Sequence, residues 1–169
     1  NQDVRHERLK DQLDIVKVML NKPLQPGESY TLHLEYIVQI PSSKFTRYGV
    51  SNLNNISLKY WFITPAVYDG TWHYFSNKDL DDSYIPKASH KFTIEYPERY
   101  ILATELDKIG QEKANGNIIS NFIGQDRVSS KLFLSLNPEF NTVETDYFAI
   151  VSNINDENLD LYVFSDISH

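Results

Sequence analysis

Apolar and polar residues alternate with a period of two along two runs of this chain, and this pattern limits the folds it can adopt. In residues 29–40, the apolar positions that share one face are Tyr30, Leu32, Leu34, Tyr36, Val38 and Ile40. In residues 89–96, the corresponding positions are His90, Phe92, Ile94 and Tyr96. Side chains of a strand point alternately to its two faces, so each run predicts a strand with one buried face.

The rest of the chain consists of short apolar runs between turn residues. Further strands are predicted at residues 13–20, 100–104, 118–123, 131–136, 147–151 and 159–164, and a hairpin tip at 108–117 with Gly110 and Gly116. No segment carries a sustained apolar stripe of helical period. We therefore predict an all-β fold, an antiparallel β-sandwich or saddle. Residues 13–169 are expected to form a single domain, after a charged lead-in at 1–12 that is frayed or forms one helical turn.

Charge and composition exclude several function classes. The net charge of -7 and the lack of a Lys/Arg cluster argue against a nucleic-acid partner. No apolar run approaches the roughly 20 residues that cross a bilayer, so we predict no membrane contact from this segment. The absence of cysteine excludes disulfides and thiolate chemistry. The chain starts without Met and stops after an apolar run, and we expect it to be a piece cut from a longer protein. Its compartment stays open, with the cell envelope or secretion favoured over the cytoplasm.

Both tryptophans and many other aromatic residues are concentrated in residues 58–86. Aromatic groups at this density belong to a core or to a contact surface. Residues 60–62 read as a strand with two covered faces, which favours core or interdomain packing over a platform for sugar rings. The candidates for packing or for lining a cleft are Trp61, Phe62, Tyr68 and Trp72.

Motifs for catalysis and metal binding are weak in this chain. The string His6-Glu7-Arg8-Leu9-Lys10 carries Lys10 where the zinc-peptidase motif His-Glu-x-x-His needs its second ligand. No Gly-x-Ser-x-Gly elbow and no glycine-rich phosphate loop are present. The acidic turn Asp79-Leu80-Asp81-Asp82 is expected to bond its own backbone, and calcium binding there is left open. We assign no catalytic residue and no metal ligand.

The order of several motifs resembles the N-terminal β-domain of the alanyl-aminopeptidase family of zinc metallopeptidases. A turn Pro23-Leu24-Gln25-Pro26-Gly27-Glu28 precedes the run that ends in Tyr36. An aromatic strand with Pro65, an acidic turn, the triplet Phe92-Thr93-Ile94 and the segment from Tyr96 to Thr104 then follow in the family's order. Within this family, the chain most resembles bacterial aminopeptidase-like proteins.

The resemblance implies a non-catalytic domain that packs on a protease domain lying C-terminal to it in the same chain and that lines the substrate cleft. Zinc and the peptide substrate would belong to that longer protein, a zinc-dependent aminopeptidase, and no cofactor to this piece. Phe62 falls where the family places a glutamine that contacts substrate. Two alternatives remain: a cell-surface carbohydrate- or protein-binding β-sandwich, and a longer protein that is a degenerate, inactive peptidase.

Overall fold

A computed structural model describes residues 3–76, 85–136, 140–144, 146, 149–153 and 162–164. The strands, in chain order, are β1 (Arg5–Leu9), β2 (Gln12–Met19), β3 (Gly49–Val50), β4 (Ile56–Leu58), β5 (Val67–Tyr68), β6 (Trp72–His73), β7 (Ala88–Pro97), β8 (Ile101–Thr104), β9 (Asp107–Ala114), β10 (Asn117–Arg127), β11 (Leu132–Ser135), β12 (Phe140–Glu144), β13 (Ala149–Asn153) and β14 (Tyr162–Phe164). Every pairing between these strands is antiparallel, and the described residues contain no helix. The predicted all-β, antiparallel fold is confirmed.

The chain divides into two compact units, of which the first comprises Asn1–Ile37 and Thr64–Pro86. It contains two antiparallel hairpins, β1–β2 and β5–β6. Ser76, which is fully buried, donates a hydrogen bond from Oγ to Asp14 Oδ1 at 2.9 Å and so ties the second stretch of this unit to β2. Residues 5–9 form a strand where the sequence predicted a charged lead-in or a helical turn. Their polar side chains were no guide, because β1 is exposed along most of its length.

The predicted strand at residues 29–40 is wrong. The structure assigns these residues to no strand, and all of them are exposed. Their apolar side chains remain in contact with water, including Leu34 at 49% and Ile37 at 100% exposure. Alternation encodes a face that can be buried, but a strand also needs a neighbour to accept and donate its backbone hydrogen bonds.

The second unit comprises Val38–Ile63 and Lys87–His169. One sheet has the order β7-β10-β9 and another the order β3-β4-β11-β8. Tyr96 of β7, Ile118 of β10, and Leu132 and Leu134 of β11 meet with Tyr100 in one hydrophobic core cluster. Side chains of the two sheets thus pack on one another, as in a β-sandwich. A third sheet, β12-β13-β14, also belongs to this unit.

Strand β7 shows the alternation that the sequence predicted for residues 89–96. His90, Phe92, Ile94 and Tyr96 are buried or half-buried, while the residues between them are exposed. On the neighbouring strand, the Ser120 hydroxyl lies 3.2 Å from the hydroxyl of Tyr96, so both buried polar atoms are satisfied. This face of β7 therefore forms one wall of the core.

The hairpin between β9 and β10 turns on Asn115 and Gly116, which both have positive φ, 51° and 78°. A two-residue turn of this kind favours Asn-Gly because both central residues must adopt a left-handed backbone. Gly110, predicted at the same tip, lies within β9.

The structure places a loop where the sequence predicted an aromatic strand at residues 60–65. Strand β4 ends at Leu58, and Tyr60 has a φ of 54°, outside the range of a strand. Aromatic residues favour strands in general, but the backbone here turns immediately after β4.

Candidate functional site

The four candidate residues fall into two groups, one in each unit. Trp61 and Phe62 lie in the second unit, whereas Tyr68 and Trp72 lie in the first. The two groups differ in burial, so each is described separately.

Trp61 and Phe62 belong to an aromatic cluster with His90 and Phe92 of β7. The Phe62 ring meets the Phe92 ring edge to face at 5.1 Å between centroids and the His90 ring at 5.4 Å. Trp61 lies 5.2 Å from Phe92, and its indole Nε1 donates a hydrogen bond to the Ser130 carbonyl at 3.0 Å. Edge-to-face pairs at these distances stabilise packing beyond the area they bury.

This cluster continues into the core, because Trp61 also packs against the buried residues of the second unit. His90 stacks on Phe92 at 5.6 Å, and its Nε2 lies 3.3 Å from the Arg127 carbonyl. These contacts favour a packing role for Trp61, Phe62 and His90. Sequence spacing places His90 on the same face as Phe92, but it does not predict the contact between His90 and Phe62.

Tyr68 and Trp72 form the second group, on the β5–β6 hairpin. The two residues are directly paired across the hairpin, and their ring centroids are 5.0 Å apart with the planes tilted by 51°. Both rings face water, with 61% of Tyr68 and 63% of Trp72 exposed. The hairpin therefore presents two adjacent aromatic rings on the surface of the first unit.

The turn of this hairpin is held by Asp69. Its backbone amide donates to the Thr71 carbonyl at 3.2 Å, and Gly70 between them adopts a φ of 113° that other residues rarely reach. His73 Nε2 lies 2.7 Å from Asp69 Oδ1. The hydrogen bond from His73 is the main reason that the pKa of Asp69 is lower than its usual value, and the charge of His73 and the amide of Thr71 add to this effect. An ionised carboxylate thus stands beside the aromatic pair.

Lys59, directly after β4, contacts two further aromatic rings. Its ammonium group lies 4.7 Å from the centre of the Tyr60 ring and 5.7 Å from that of Tyr48. Burial alone would lower the pKa of Lys59, but the hydrogen bond to Tyr60 and the nearby Tyr48 and Glu105 raise it overall. Lys59 is therefore a cation placed on aromatic faces, which suits packing of the 59–60 turn.

The described ranges hold no group of three His, Cys, Asp or Glu side chains arranged to bind a metal ion. The pair Asp69–His73 supplies two such groups at one place. The acidic turn at Asp79, Asp81 and Asp82 lies outside the described residues. In the part of the chain that is described, there is also no helix long and apolar enough to cross a bilayer.

Comparison with protein-family models, with curated proteins and with solved structures finds no match to this chain. The resemblance to the aminopeptidase N-terminal domain consequently stays a prediction from the motifs quoted above.

Proposed function

We propose that this chain is a non-catalytic N-terminal β-domain of a zinc aminopeptidase-like protein, where it packs on the protease domain and lines the substrate cleft. The observation that carries the proposal is the exposed Tyr68–Trp72 pair, with 5.0 Å between ring centroids. Single exposed apolar residues are common, but two large rings held together in water are typical of a surface that meets a partner. We assign this pair to the contact with the protease domain or its cleft.

Trp61 and Phe62 have a different role in this proposal. Their rings contact those of Phe92 and His90, which supports a role in holding residues 59–63 on β7. In the aminopeptidase resemblance, Phe62 stands in the place of a polar substrate contact. A phenylalanine cannot hydrogen-bond a substrate, so Phe62 would act through its bulk and apolar surface.

Zinc enters this proposal through the protease domain and not through this chain. A peptidase zinc site takes three protein ligands, and the described residues bring no three together. The string His6-Glu7-Arg8-Leu9-Lys10 lies at β1, on a strand, whereas the zinc motif needs two histidines on adjacent turns of a helix. We therefore derive no catalytic step from residues of this chain.

The test compares this chain alone with the longer protein encoded by the same reading frame. We expect a His-Glu-x-x-His helix C-terminal to this segment, zinc in the longer protein by mass spectrometry, and cleavage of aminoacyl reporters by that protein alone. Trp72→Ala in the longer protein should weaken binding of this domain to the protease domain. Stoichiometric zinc in the purified 169-residue chain, or a reading frame without the motif, would overturn the proposal.

The exposed pair also favours a second candidate, a cell-surface carbohydrate- or protein-binding module. Aromatic faces stack on sugar rings, and the ionised Asp69 beside them can accept hydrogen bonds from hydroxyl groups. A glycan array separates the two candidates. Glycan binding that Trp72→Ala abolishes and Trp61→Phe leaves intact would establish the second candidate, whereas an array without signal contradicts its carbohydrate-binding form.

A further inference from the structure

Strand β7 lies at one edge of the β7-β10-β9 sheet, and β10 is the one described strand that pairs with it. From His90 to Pro97 the pairing is regular, because each residue of β7 is opposed by one residue of β10. No turn or loop among the described residues forms a backbone hydrogen bond with residues 88–96. The outer edge of β7 thus presents backbone N–H and C=O groups to which a further strand can bond.

The opposite edge of this sheet, strand β9, is less suited to a partner. Its register with β10 shifts between Asn121 and Phe122, so Ile109 has no directly opposed residue on β10. Such a bulge bends an edge strand and interrupts its row of backbone groups, which hinders pairing with another chain. The irregularity in the pairing of β7 lies before His90, at the start of the strand. β7 is therefore the longer uninterrupted edge.

The charges on β7 favour a second copy of the same strand as the partner. Lys91, Thr93 and Glu95 are exposed and alternate with residues that face the core. If two copies of β7 run antiparallel with Thr93 opposite Thr93, each Lys91 stands opposite Glu95 of the second copy. Lys91 and Glu95 carry opposite formal charges at pH 7. This arrangement consequently joins opposite charges at two symmetric positions.

The groups that would meet in this arrangement are available for it. Lys91 forms no hydrogen bond or ion pair with any residue that the structure describes. Glu95 Oε1 accepts a hydrogen bond from Asn117 Nδ2 at 2.7 Å, which leaves Oε2 for Lys91 of the second copy. On the core-facing side, Phe92 would stand opposite Ile94, and both are half-buried in the single chain. Apolar residues then meet apolar residues across the new strand pair.

Other registers of the same pairing lack this complementarity. Directly opposed residues of two strands lie on one face, so the two-fold axis must lie between two copies of one residue. An axis at Lys91 opposes two lysines, and an axis at Glu95 opposes two glutamates. An axis at Phe92 or Ile94 pairs neither charge with the other. Thr93 is therefore the position in β7 at which both charge pairs form.

We propose that β7 pairs antiparallel with β7 of a second copy of this chain, with Thr93 at the two-fold axis and Lys91 opposite Glu95. Two three-stranded sheets then join into one of six strands, and the contact is closed because both copies use the same patch. Backbone hydrogen bonds supply the affinity, while the exposed ion pairs, which are individually weak, select the register. This inference does not rest on the proposed function.

Disulfide formation measures the register directly. The chain has no cysteine, so Thr93→Cys introduces a single thiol. Directly opposed residues of antiparallel strands have Cα atoms about 4.5 to 5.5 Å apart, within the range that a disulfide spans. Ser89→Cys is the matched control on the same exposed face of β7, because the proposed register separates the two copies of residue 89 by eight residues, about 27 Å.

Under mild oxidation, Thr93→Cys should form a covalent dimer at least about tenfold faster than Ser89→Cys. Equal rates for the two variants, or a faster reaction of Ser89→Cys, would overturn the proposed register.

Charge exchange tests the same pairing without a cross-link. Sedimentation of the wild type across about 1 μM to 1 mM should show a monomer–dimer equilibrium. Lys91→Glu places carboxylates opposite each other on both sides of the axis and should weaken the dimer by about tenfold. The double variant Lys91→Glu/Glu95→Lys restores opposite charges and should return the dissociation constant to within about threefold of the wild type.

The control for net charge is Lys108→Glu, the same substitution at an exposed lysine of β9. It should leave the dissociation constant within about threefold of the wild type, because its charge lies at the other edge of the sheet. A chain that remains monomeric at the highest concentration overturns the proposal. A dimer that Lys91→Glu and Lys108→Glu weaken equally overturns it as well, since that dimer would depend on overall charge or on another surface.

Discussion

The indole Nε1 of Trp61 donates a hydrogen bond to the carbonyl oxygen of Ser130 at 3.0 Å, although the two residues are 69 positions apart in the chain. We predict that Trp61→Phe lowers the free energy of unfolding by about 1 kcal/mol, because the hydrogen bond is lost while most of the ring packing is kept. Chemical denaturation followed by circular dichroism measures the change. The matched control is Trp72→Phe, the same substitution at an exposed position, which should change stability by less than about 0.5 kcal/mol. Equal effects of the two variants would contradict a specific role for the Trp61–Ser130 bond.

Alanine substitution of two buried serines should change the free energy of unfolding in opposite directions. Ser130 Oγ has no hydrogen-bond partner among the described residues, whereas Ser135 Oγ donates to Asn55 Oδ1 at 2.9 Å. Both side chains are about 1% exposed. Ser130→Ala removes an unsatisfied hydroxyl and should raise the free energy of unfolding by up to about 1 kcal/mol, while Ser135→Ala should lower it by about 1 to 3 kcal/mol. Thermal unfolding of the two variants side by side measures the difference, and a loss of stability in Ser130→Ala would be contrary to this expectation.

The Asp69–His73 contact predicts the direction of a titration. The pKa of Asp69 lies below its ordinary value of 3.8, mainly because His73 bonds the carboxylate at 2.7 Å. A carboxyl group whose pKa is lower in the folded state stabilises that state above its unfolded pKa and loses this contribution as the pH falls through the folded pKa. Carbon-detected NMR of the Asp69 carboxyl group should give a midpoint below 3.8 in the wild type and a higher midpoint in His73→Ala. A midpoint that does not move in His73→Ala would rule out this histidine as the cause.

Alanine substitutions at Phe62 and at Tyr68 should distinguish a ring that packs in the fold from a ring that lies on the surface. Phe62→Ala removes a ring in contact with Phe92 and His90 and should cost about 2 to 4 kcal/mol of stability. Tyr68→Ala removes an exposed ring and should cost less than about 1 kcal/mol. Denaturant titrations of both variants provide the measurement. A large loss in Tyr68→Ala would mean that the β5–β6 hairpin is part of a core and not a contact surface.

The local sequence pattern was sufficient to predict several of the strands. The predicted runs at 13–20 and 118–123 correspond to β2 and β10, and the run at 89–96 corresponds to β7 with its alternation intact. In each case the apolar period and the neighbouring turn residues agree, so local preference and tertiary packing favour the same backbone.

The errors arise where a strand depends on a partner that the pattern does not specify. Residues 29–40 alternate as clearly as β7 but are assigned to no strand, whereas β1 carries mostly charged residues and still pairs with β2. Residues 60–65 contain strand-forming aromatics, yet Tyr60 has a left-handed backbone conformation, and the chain does not continue as a strand after β4. Side-chain type predicts which face can be buried, and pairing depends on which backbone is nearby.

Sequence composition identified the aromatic residues Trp61, Phe62, Tyr68 and Trp72 as candidates for packing or for lining a cleft, and it did not divide them into two groups. Their separation into a packed group and an exposed group depends on contacts with β7 and on the short β5–β6 hairpin, and residue spacing encodes neither. The Asp69–His73 pair was also missed, although an acid and a histidine four positions apart, on either side of a glycine turn, are a signal that could have indicated it.

The two tryptophans of this chain provide one optical probe for each compact unit. Trp61 is half-buried against Phe92 in the second unit, and Trp72 is exposed in the first. An indole in contact with water emits fluorescence at longer wavelength than one packed among rings, so the wild-type spectrum should contain two components. Trp72→Phe leaves a reporter of the second unit and Trp61→Phe a reporter of the first. Unfolding curves of these two single-tryptophan proteins would coincide if the units melt together and would separate if each unit melts by itself.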